Sequence, residues 1–287
     1  MARRSEQVAI LGAGNMGRAL ARGLRAAPTT RRFRVVLTVR DPRRLAPVAS
    51  EIGARIAGSN RAAVEGCATV VVAVKPQILP SVLAEIGDAL ENGTTLLSIA
   101  AGVSTARLEA GVGEGVGVVR AMPNVAASVR SSATAYCLGR TARRRDRERA
   151  RTILGSIGTV VEVDESLMDA VTGLSGTGPL YLFLILESLS DAGVKVGLSR
   201  EIATHLAIQT LVGSAELVRA TGEHPAKLRD LVTSPGGTAI TALHSLERSG
   251  LKAMLMDAVE AAARRSEELG RSRSPSSATS SEGAAKP

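Results

Sequence analysis

Aromatic side chains are nearly missing from this chain: two Tyr, two Phe and no Trp in 287 residues. Its core must therefore be built from Leu, Val, Ile, Ala and Met, and the stacking rings that single-stranded nucleic acid requires are not there. Histidine is scarce as well. His205, His224 and His244 stand in no metal-ligand spacing, and a helix interior or a helix cap accounts for the first two. The two cysteines, Cys67 and Cys137, lie far apart and outside any C-x-x-C, so neither a disulfide framework nor a zinc site is expected, and no metal is assigned. There is no G-x-S-x-G elbow and no paired-carboxylate signature. The longest apolar run, Leu180 to Leu186, is far too short to span a bilayer, and the N-terminal residues carry charge without an apolar core of signal-peptide length. The expectation is a soluble, cytoplasmic protein with no nucleic-acid and no membrane partner.

Charge is lopsided, with 36 Lys and Arg against 27 Asp and Glu, and nearly all of the positive charge is Arg. Between Arg143 and Arg151 the arginines alternate with Asp146 and Glu148, which predicts a solvated helix face. The net field favours anionic ligands.

The most informative stretch is near the N-terminus. Val8 to Leu11 reads as a buried strand, Gly12, Gly14 and Gly17 follow at G-x-G-x-x-G spacing, and Met16 to Arg25 reads as a helix. A dinucleotide needs that order. The first glycine makes the turn, the second admits the pyrophosphate, the third lets helix and strand pack, and the helix N-terminus offers N–H groups to the phosphates. Further strands are expected at Phe33–Val39, Thr69–Val74, Thr94–Ile99, Gly117–Arg120, Ala133–Leu138 and Val160–Val163, with helices between them. Alternation of this kind predicts an α/β Rossmann domain with a doubly wound, mostly parallel sheet over residues 1–163. Arg40, Asp41, Arg43 and Arg44 follow the second strand, where adenosine ribose is read. Arg40 favours NADPH; Asp41 keeps NADH as the other candidate. Ala100-Ala101-Gly102, at the end of another strand, leaves room for a flat ring.

After Asp164 strand signals cease, and residues 164–270 read as an all-helical domain. The helix from Leu180 to Asp191 is apolar on nearly every face, as in helices buried between subunits. Residues 271–287 are Ser-, Pro-, Ala- and Gly-rich and read as a disordered tail. Ser234-Pro235-Gly236-Gly237-Thr238 sets two glycines ahead of a helix, which suits a small carboxylate or, equally, a plain turn with a Ser or Thr cap.

The pieces Gly12-Ala-Gly-Asn-Met-Gly17, Val74-Lys-Pro-Gln77, Ser98-Ile-Ala-Ala-Gly-Val-Ser104, Met122-Pro-Asn124, Ser175-Gly-Thr-Gly-Pro179, Asp191-Ala-Gly-Val-Lys195, Gln209-Thr210 and Val232-Thr-Ser-Pro-Gly-Gly-Thr238 come in an order and spacing that resemble the pyrroline-5-carboxylate reductase family, from Gln7 to Gly270. The resemblance implies reduction of the cyclic imine Δ1-pyrroline-5-carboxylate to L-proline by NADPH or NADH, the last step of proline biosynthesis. It also implies an interlocked homodimer through the helical domain, with dimers assembling into decamers. By motif match, Gly12, Gly14, Asn15, Met16 and Gly17 hold the pyrophosphate, and Asn60 contacts the cofactor. Val74, Lys75, Pro76, Ala100 and Ala101 line the nicotinamide side. Ser234, Gly236, Gly237 and Thr238 form the loop for the substrate carboxylate, with Thr238 and Thr177 as the candidate catalytic hydroxyls.

The chain departs from the family pattern at Ala239, where a second hydroxyl residue is usual, at Thr177 for Ser, and at Val125-Ala126, where a Pro is common. Two other readings share these residues. One is a β-hydroxyacid dehydrogenase-like oxidoreductase with Lys195 as acid/base. The other is a non-catalytic nucleotide-binding paralogue, which Ala239 favours.

Overall fold

A computed structural model of the chain describes residues 6–38, 43 and 45–271. The apolar runs become the strands of one eight-stranded sheet: β1 (Gln7–Leu11), β2 (Arg34–Thr38), β3 (Arg55–Ile56), β4 (Thr69–Val72), β5 (Thr95–Ser98), β6 (Gly117–Met122), β7 (Ser132–Leu138) and β8 (Gly158–Glu162), in the order β3-β2-β1-β4-β5-β6-β7-β8. Successive side chains leave a strand on opposite faces, and both faces here are covered. Val8, Ile10, Leu37, Val71, Leu97 and Val119 pack with α1 (Asn15–Ala26), α2 (Ala46–Ile52) and α6 (Arg144–Gly155). Ala9, Leu11, Val36, Val70, Val72, Leu96 and Val118 pack with α3 (Asn60–Val64), α4 (Leu79–Ile86) and α5 (Thr105–Glu109). Double burial is why these strands read as continuous rather than alternating apolar runs.

The pairing is parallel except between β6 and β7, which run antiparallel. Residues 123–131 join these two strands, too few for the crossover of about a dozen residues that a parallel neighbour needs. A 3-10 turn, Val125–Val129, capped by the Asn124 side chain, turns the chain back instead. The two-residue β3 was not foreseen, being too short to show a pattern.

The Arg-rich helix is not merely a solvated face, which corrects the sequence expectation. Within α6, Asp146 is fully buried and accepts from Thr95 Oγ1 (2.5 Å) and from the Arg143 N–H (2.8 Å). Arg149 Nη1 donates to the Ala68 and Gly93 carbonyls (3.0 and 2.8 Å), tying the helix to the entry ends of β4 and β5. The buried carboxylate sits where a side chain on residue 117 would be, so Gly117 is part of its socket. Both cysteines are buried and unpaired, and burial pushes both thiols up, Cys137 to about 12.

The helical half follows: α7 (Met168–Val171), a π-helical turn (Thr172–Gly176), α8 (Gly178–Lys195), α9 (Arg200–Thr221), α10 (Pro225–Asp230), α11 (Thr238–Arg248) and α12 (Leu251–Arg271). Arg271, expected in the tail, is the last residue of α12; the rest of the expected tail, 272–287, lies outside the described residues. Residues 165–195 form one continuous helical stretch of 31 residues whose best window reaches a mean hydropathy of 1.2, with 6% of it buried. By length and composition alone that stretch is long enough to cross a membrane. This was not foreseen, because the polar residues between its apolar runs hide its continuity. Nor is α8 buried within the chain: Leu180, Phe183 and Leu184 are each more than 60% exposed.

Arg120 clamps the two halves together. Its buried guanidinium lies 3.3 Å from Glu165 Oε1 and 3.7 Å from Asp169 Oδ1. Glu165 also accepts from the Thr105 N–H and hydroxyl at the start of α5, and Ser266 Oγ of α12 donates to Asp169 (2.6 Å). Arg120→Ala would strand two carboxylates that keep about a third of their surface in water. The expected loss is about 2–3 kcal/mol, somewhat below that of a fully buried pair, read from denaturant midpoints.

A second prediction concerns alkaline pH. Tyr136 is buried on β7 and donates to Glu162 Oε2 at 2.6 Å. Burial, then that bond, pushes the phenol up to about 12 from its ordinary value of 10.0. The folded state therefore holds the neutral phenol where the unfolded chain ionises. This contribution is whole below pH 10 and is lost as pH rises towards 12, about 3 kcal/mol at most. Tyr136→Phe should flatten the stability profile in that window.

Candidate active site

The strand order reverses between β1 and β4, and ligands of open α/β sheets bind at the carboxyl ends of strands at such a point. A cleft of about 550 Å³ lies there, with Gly12, Gly14, Thr38, Ser59, Asn60, Val74 and Lys75 among its walls.

The three glycines of the first motif act differently. Gly12 has φ +84°, and a Cβ on it would lie 2.5 Å from Val74 Cγ1. A Cβ on Gly17 would lie 2.8 Å from the Gly12 carbonyl and 3.3 Å from Ile10 Cγ2, so Gly17 sets the helix against the strand. A Cβ on Gly14 would meet nothing within 4 Å, so the second glycine faces open space in the cleft wall. Gly14 is also the N-cap of α1 and no side chain caps that helix. Asn15 and Met16 open α1, Met16 with its side chain against the core, so their N–H groups belong to the uncapped first turn. These features fit a dinucleotide pyrophosphate.

The opposite wall begins at α3. Ser59 caps it, accepting from the Ala62 N–H. Asn60 is held twice: Thr38 Oγ1 donates to its Oδ1 (2.7 Å), and its Nδ2 donates to Glu85 Oε2 (2.7 Å). Thr38 and Glu85 were not foreseen as site residues; 22 and 25 residues of sequence separate them from Asn60, and no local pattern joins them.

Other expected residues fall elsewhere. Pro76, Ala100 and Ala101 are not among the walls of this cleft. The Ala100–Gly102 stretch leaves β5 towards α12, where Gly102 lies against Gly270. Arg40 and Asp41 lie outside the described residues.

The loop before α11 is built as a second open helix start. Gly236 has φ +66°, Gly237 donates to the Ser234 carbonyl (3.0 Å) and is the N-cap, and no side chain caps α11. Of the two sequence alternatives, the Ser or Thr cap is not what forms. Thr238 is exposed, and no partner for its hydroxyl is found among the described residues. Thr177 differs. Its Oγ1 and its N–H both donate to the Thr172 carbonyl (3.0 and 2.9 Å), closing the π-helical turn. Ser234, Gly236, Gly237, Thr238 and Thr177 are absent from the walls of the nucleotide cleft, so one chain does not bring the two sites into one cavity.

Asn124 does join the halves. Its Nδ2 donates to the Ser175 carbonyl (3.1 Å) just before Thr177. Lys195, the acid/base of the dehydrogenase reading, is exposed at the last turn of α8. His224 caps α10 through Nδ1, a structural role.

The glycine geometry separates folding from binding. Gly14→Ala should leave the thermal midpoint unchanged, since its Cβ meets nothing, yet weaken NADPH binding about tenfold or more. Gly12→Ala should lose both, with about 1–3 kcal/mol of strain in stability. NADPH fluorescence titration beside thermal melts checks the pair.

Comparison with known proteins finds two family models that match separate stretches of the chain. A family model described as pyrroline-5-carboxylate reductase dimerisation matches residues 165–269, and one described as NADP oxidoreductase, coenzyme F420-dependent, matches residues 7–102. The pyrroline-5-carboxylate reductase of Methanosarcina acetivorans is 41% identical over 93% of this chain and 99% of its own length. That of Arabidopsis thaliana is 39% identical over 93% and 97%. Among solved structures, the Coxiella burnetii pyrroline-5-carboxylate reductase superposes with a TM-score of 0.85 at 34% identity, covering 93% of this chain and 99% of that one. The Plasmodium falciparum pyrroline carboxylate reductase with NADP bound does so at 0.82 and 34%, covering 92% and 98%. With identity at this level running through both halves, the chain belongs to the pyrroline-5-carboxylate reductase family.

Proposed function

We propose that this protein reduces the C=N bond of Δ1-pyrroline-5-carboxylate to give L-proline, with NADPH as the preferred donor and NADH as the alternative. The observation that carries the reading is a pair of helix starts that each have a glycine at the N-cap and no side-chain cap. One is α1, for a dinucleotide phosphate; the other is α11, for a small carboxylate.

Gly12, Gly14, Asn15, Met16 and Gly17 would hold the pyrophosphate, with Asn60, Val74 and Lys75 on the facing walls. When bound, the nicotinamide supplies a hydride to the imine carbon. The protein's own task is placement, and positioning of this kind is worth about 7–11 kcal/mol of a barrier. The Gly236-Gly237 turn would fix the carboxylate. Thr238, with its hydroxyl uncommitted, would orient the ring nitrogen and keep its proton in place as the C=N bond becomes CH–NH. Thr177 is the weaker candidate because the Thr172 carbonyl already takes its hydrogen.

The exposed apolar faces of α8 and α9 support a second copy of the chain as their cover, rather than lipid. The match of residues 165–269 to a dimerisation family favours the same cover. In this reading the dimer completes the substrate site, dimers assemble further into decamers, and the enzyme is cytoplasmic, to which its two unpaired cysteines are suited.

Purified protein should oxidise NADPH saturably with Δ1-pyrroline-5-carboxylate and form proline, with lower kcat/KM for NADH. Thr238→Ala should lower kcat/KM about 100-fold, while Ala239→Thr leaves it unchanged. No turnover with either cofactor, in protein that binds NADPH, would overturn the assignment in favour of the non-catalytic reading.

A further inference from the structure

Asn60 stands in the nucleotide cleft, but what holds it comes from elsewhere in the chain. Three N–H donors converge on the Glu85 carboxylate of α4. The backbone N–H of Asn60 lies at 3.0 Å and that of Arg61 at 3.3 Å from Oε1, and Asn60 Nδ2 lies at 2.7 Å from Oε2. Among the described residues no cation pairs with Glu85; the nearby Arg61 guanidinium is taken by Asp88 at 2.7 Å. A carboxylate only accepts, so it decides which way the Asn60 amide faces: nitrogen towards Glu85, oxygen towards the Thr38 hydroxyl. An amide carries two N–H groups and two lone pairs, so one of each stays free for a ligand. Glu85 itself lines the cleft.

Glu85 also changes the character of α3. The starts of α1 and α3 both border this cleft, at Gly14 and at Ser59 and Asn60. At α3, Ser59 and Glu85 together satisfy the N–H groups of Asn60, Arg61 and Ala62. At α1 no side chain does so. Of these two helix starts, the fixed carboxylate makes that of α3 unsuitable for the pyrophosphate and leaves that of α1 open to it.

We infer that Glu85 is a positioning residue for the cofactor: through its bond to Asn60 Nδ2, opposed by that of Thr38 to Asn60 Oδ1, it locks the amide in the one orientation that presents a donor and an acceptor to the bound nucleotide. Glu85 acts through Asn60, so its effect falls on cofactor binding. The inference rests on the dinucleotide reading of the cleft, not on the identity of the imine.

The experiment is a double-mutant cycle read by NADPH titration of the full chain, with steady-state kinetics alongside. Glu85→Gln should raise the NADPH Kd and KM about tenfold, as expected for losing a charge-assisted hydrogen bond that preorganises the site. At saturating NADPH, kcat should hold. In an Asn60→Ala background, Glu85→Gln should raise Kd no further, because its effect passes through the amide. Glu85→Asp should restore part of the affinity. Thr38→Val offers the same test from the other side of the amide should Glu85→Gln fold poorly.

Equal loss with and without Asn60 would show that Glu85 only caps α3 and would overturn the inference, as would an unchanged Kd. Protein that binds NADPH but does not turn over the imine would refute the proposed reaction and leave this cycle readable. Failure of the wild-type chain to bind NADPH would overturn the dinucleotide reading and this inference with it.

Discussion

Everything the site does depends on holding two dissimilar halves in register, and the central tie is one buried guanidinium. Arg120 leaves β6 and faces Glu165 and Asp169, two acidic residues near the start of the helical half. Glu165 reaches on to the start of α5, and Asp169 to Ser266 on α12. A buried cation is tolerable only when answered by charge and hydrogen bonds. The clamp therefore forms whole, and it fixes where the chain leaves the sheet. Asn124 adds a second tie, from the end of β6 to the Ser175 carbonyl, so the π-helical turn that carries Thr177 is anchored to the nucleotide domain.

The helical half contrasts with the sheet it follows. Among its described residues, Met168, Ala203 and Ala207 are the buried apolar ones, while Leu, Ile, Val and Phe side chains along α8 and α9 stand in water. A domain that leaves so much apolar surface uncovered has not finished burying it. The incomplete site has the same cause. The loop before α11 is not among the walls of the cleft of its own chain, and in the proposed assembly the same second copy would remedy both defects.

Much of this was legible in residue order. The G-x-G-x-x-G stretch and the apolar runs at Thr69–Val74 and Thr94–Ile99 point to the nucleotide-binding sheet, whose strand β1 leads into the glycines and whose strands β4 and β5 form within the two runs, because burial on both faces of a sheet and the geometry of a phosphate turn are local demands on sequence. The motif match named Asn60, Val74 and Lys75, and all three reach the cleft. Ala100 and Ala101 were named as well and lie off its walls.

What failed to show in the sequence was long-range or cooperative. The charges of α6 look like surface, and only the fold reveals that Asp146 is fully buried and Arg149 bonded to two carbonyls of neighbouring strand entries. A polar residue is bearable inside when partners arrive from distant segments, and their arrival cannot be read from neighbours. For the same reason Thr38 and Glu85 escape notice, being apart in the chain and together only across the cleft. Local periodicity, glycine spacing and motif order, by themselves, determined the fold class, the cofactor turn and the family resemblance. Which charges are buried, how the Asn60 amide is oriented and which hydroxyl stays free were decided only by tertiary structure, because each depends on groups that folding alone brings within hydrogen-bonding distance.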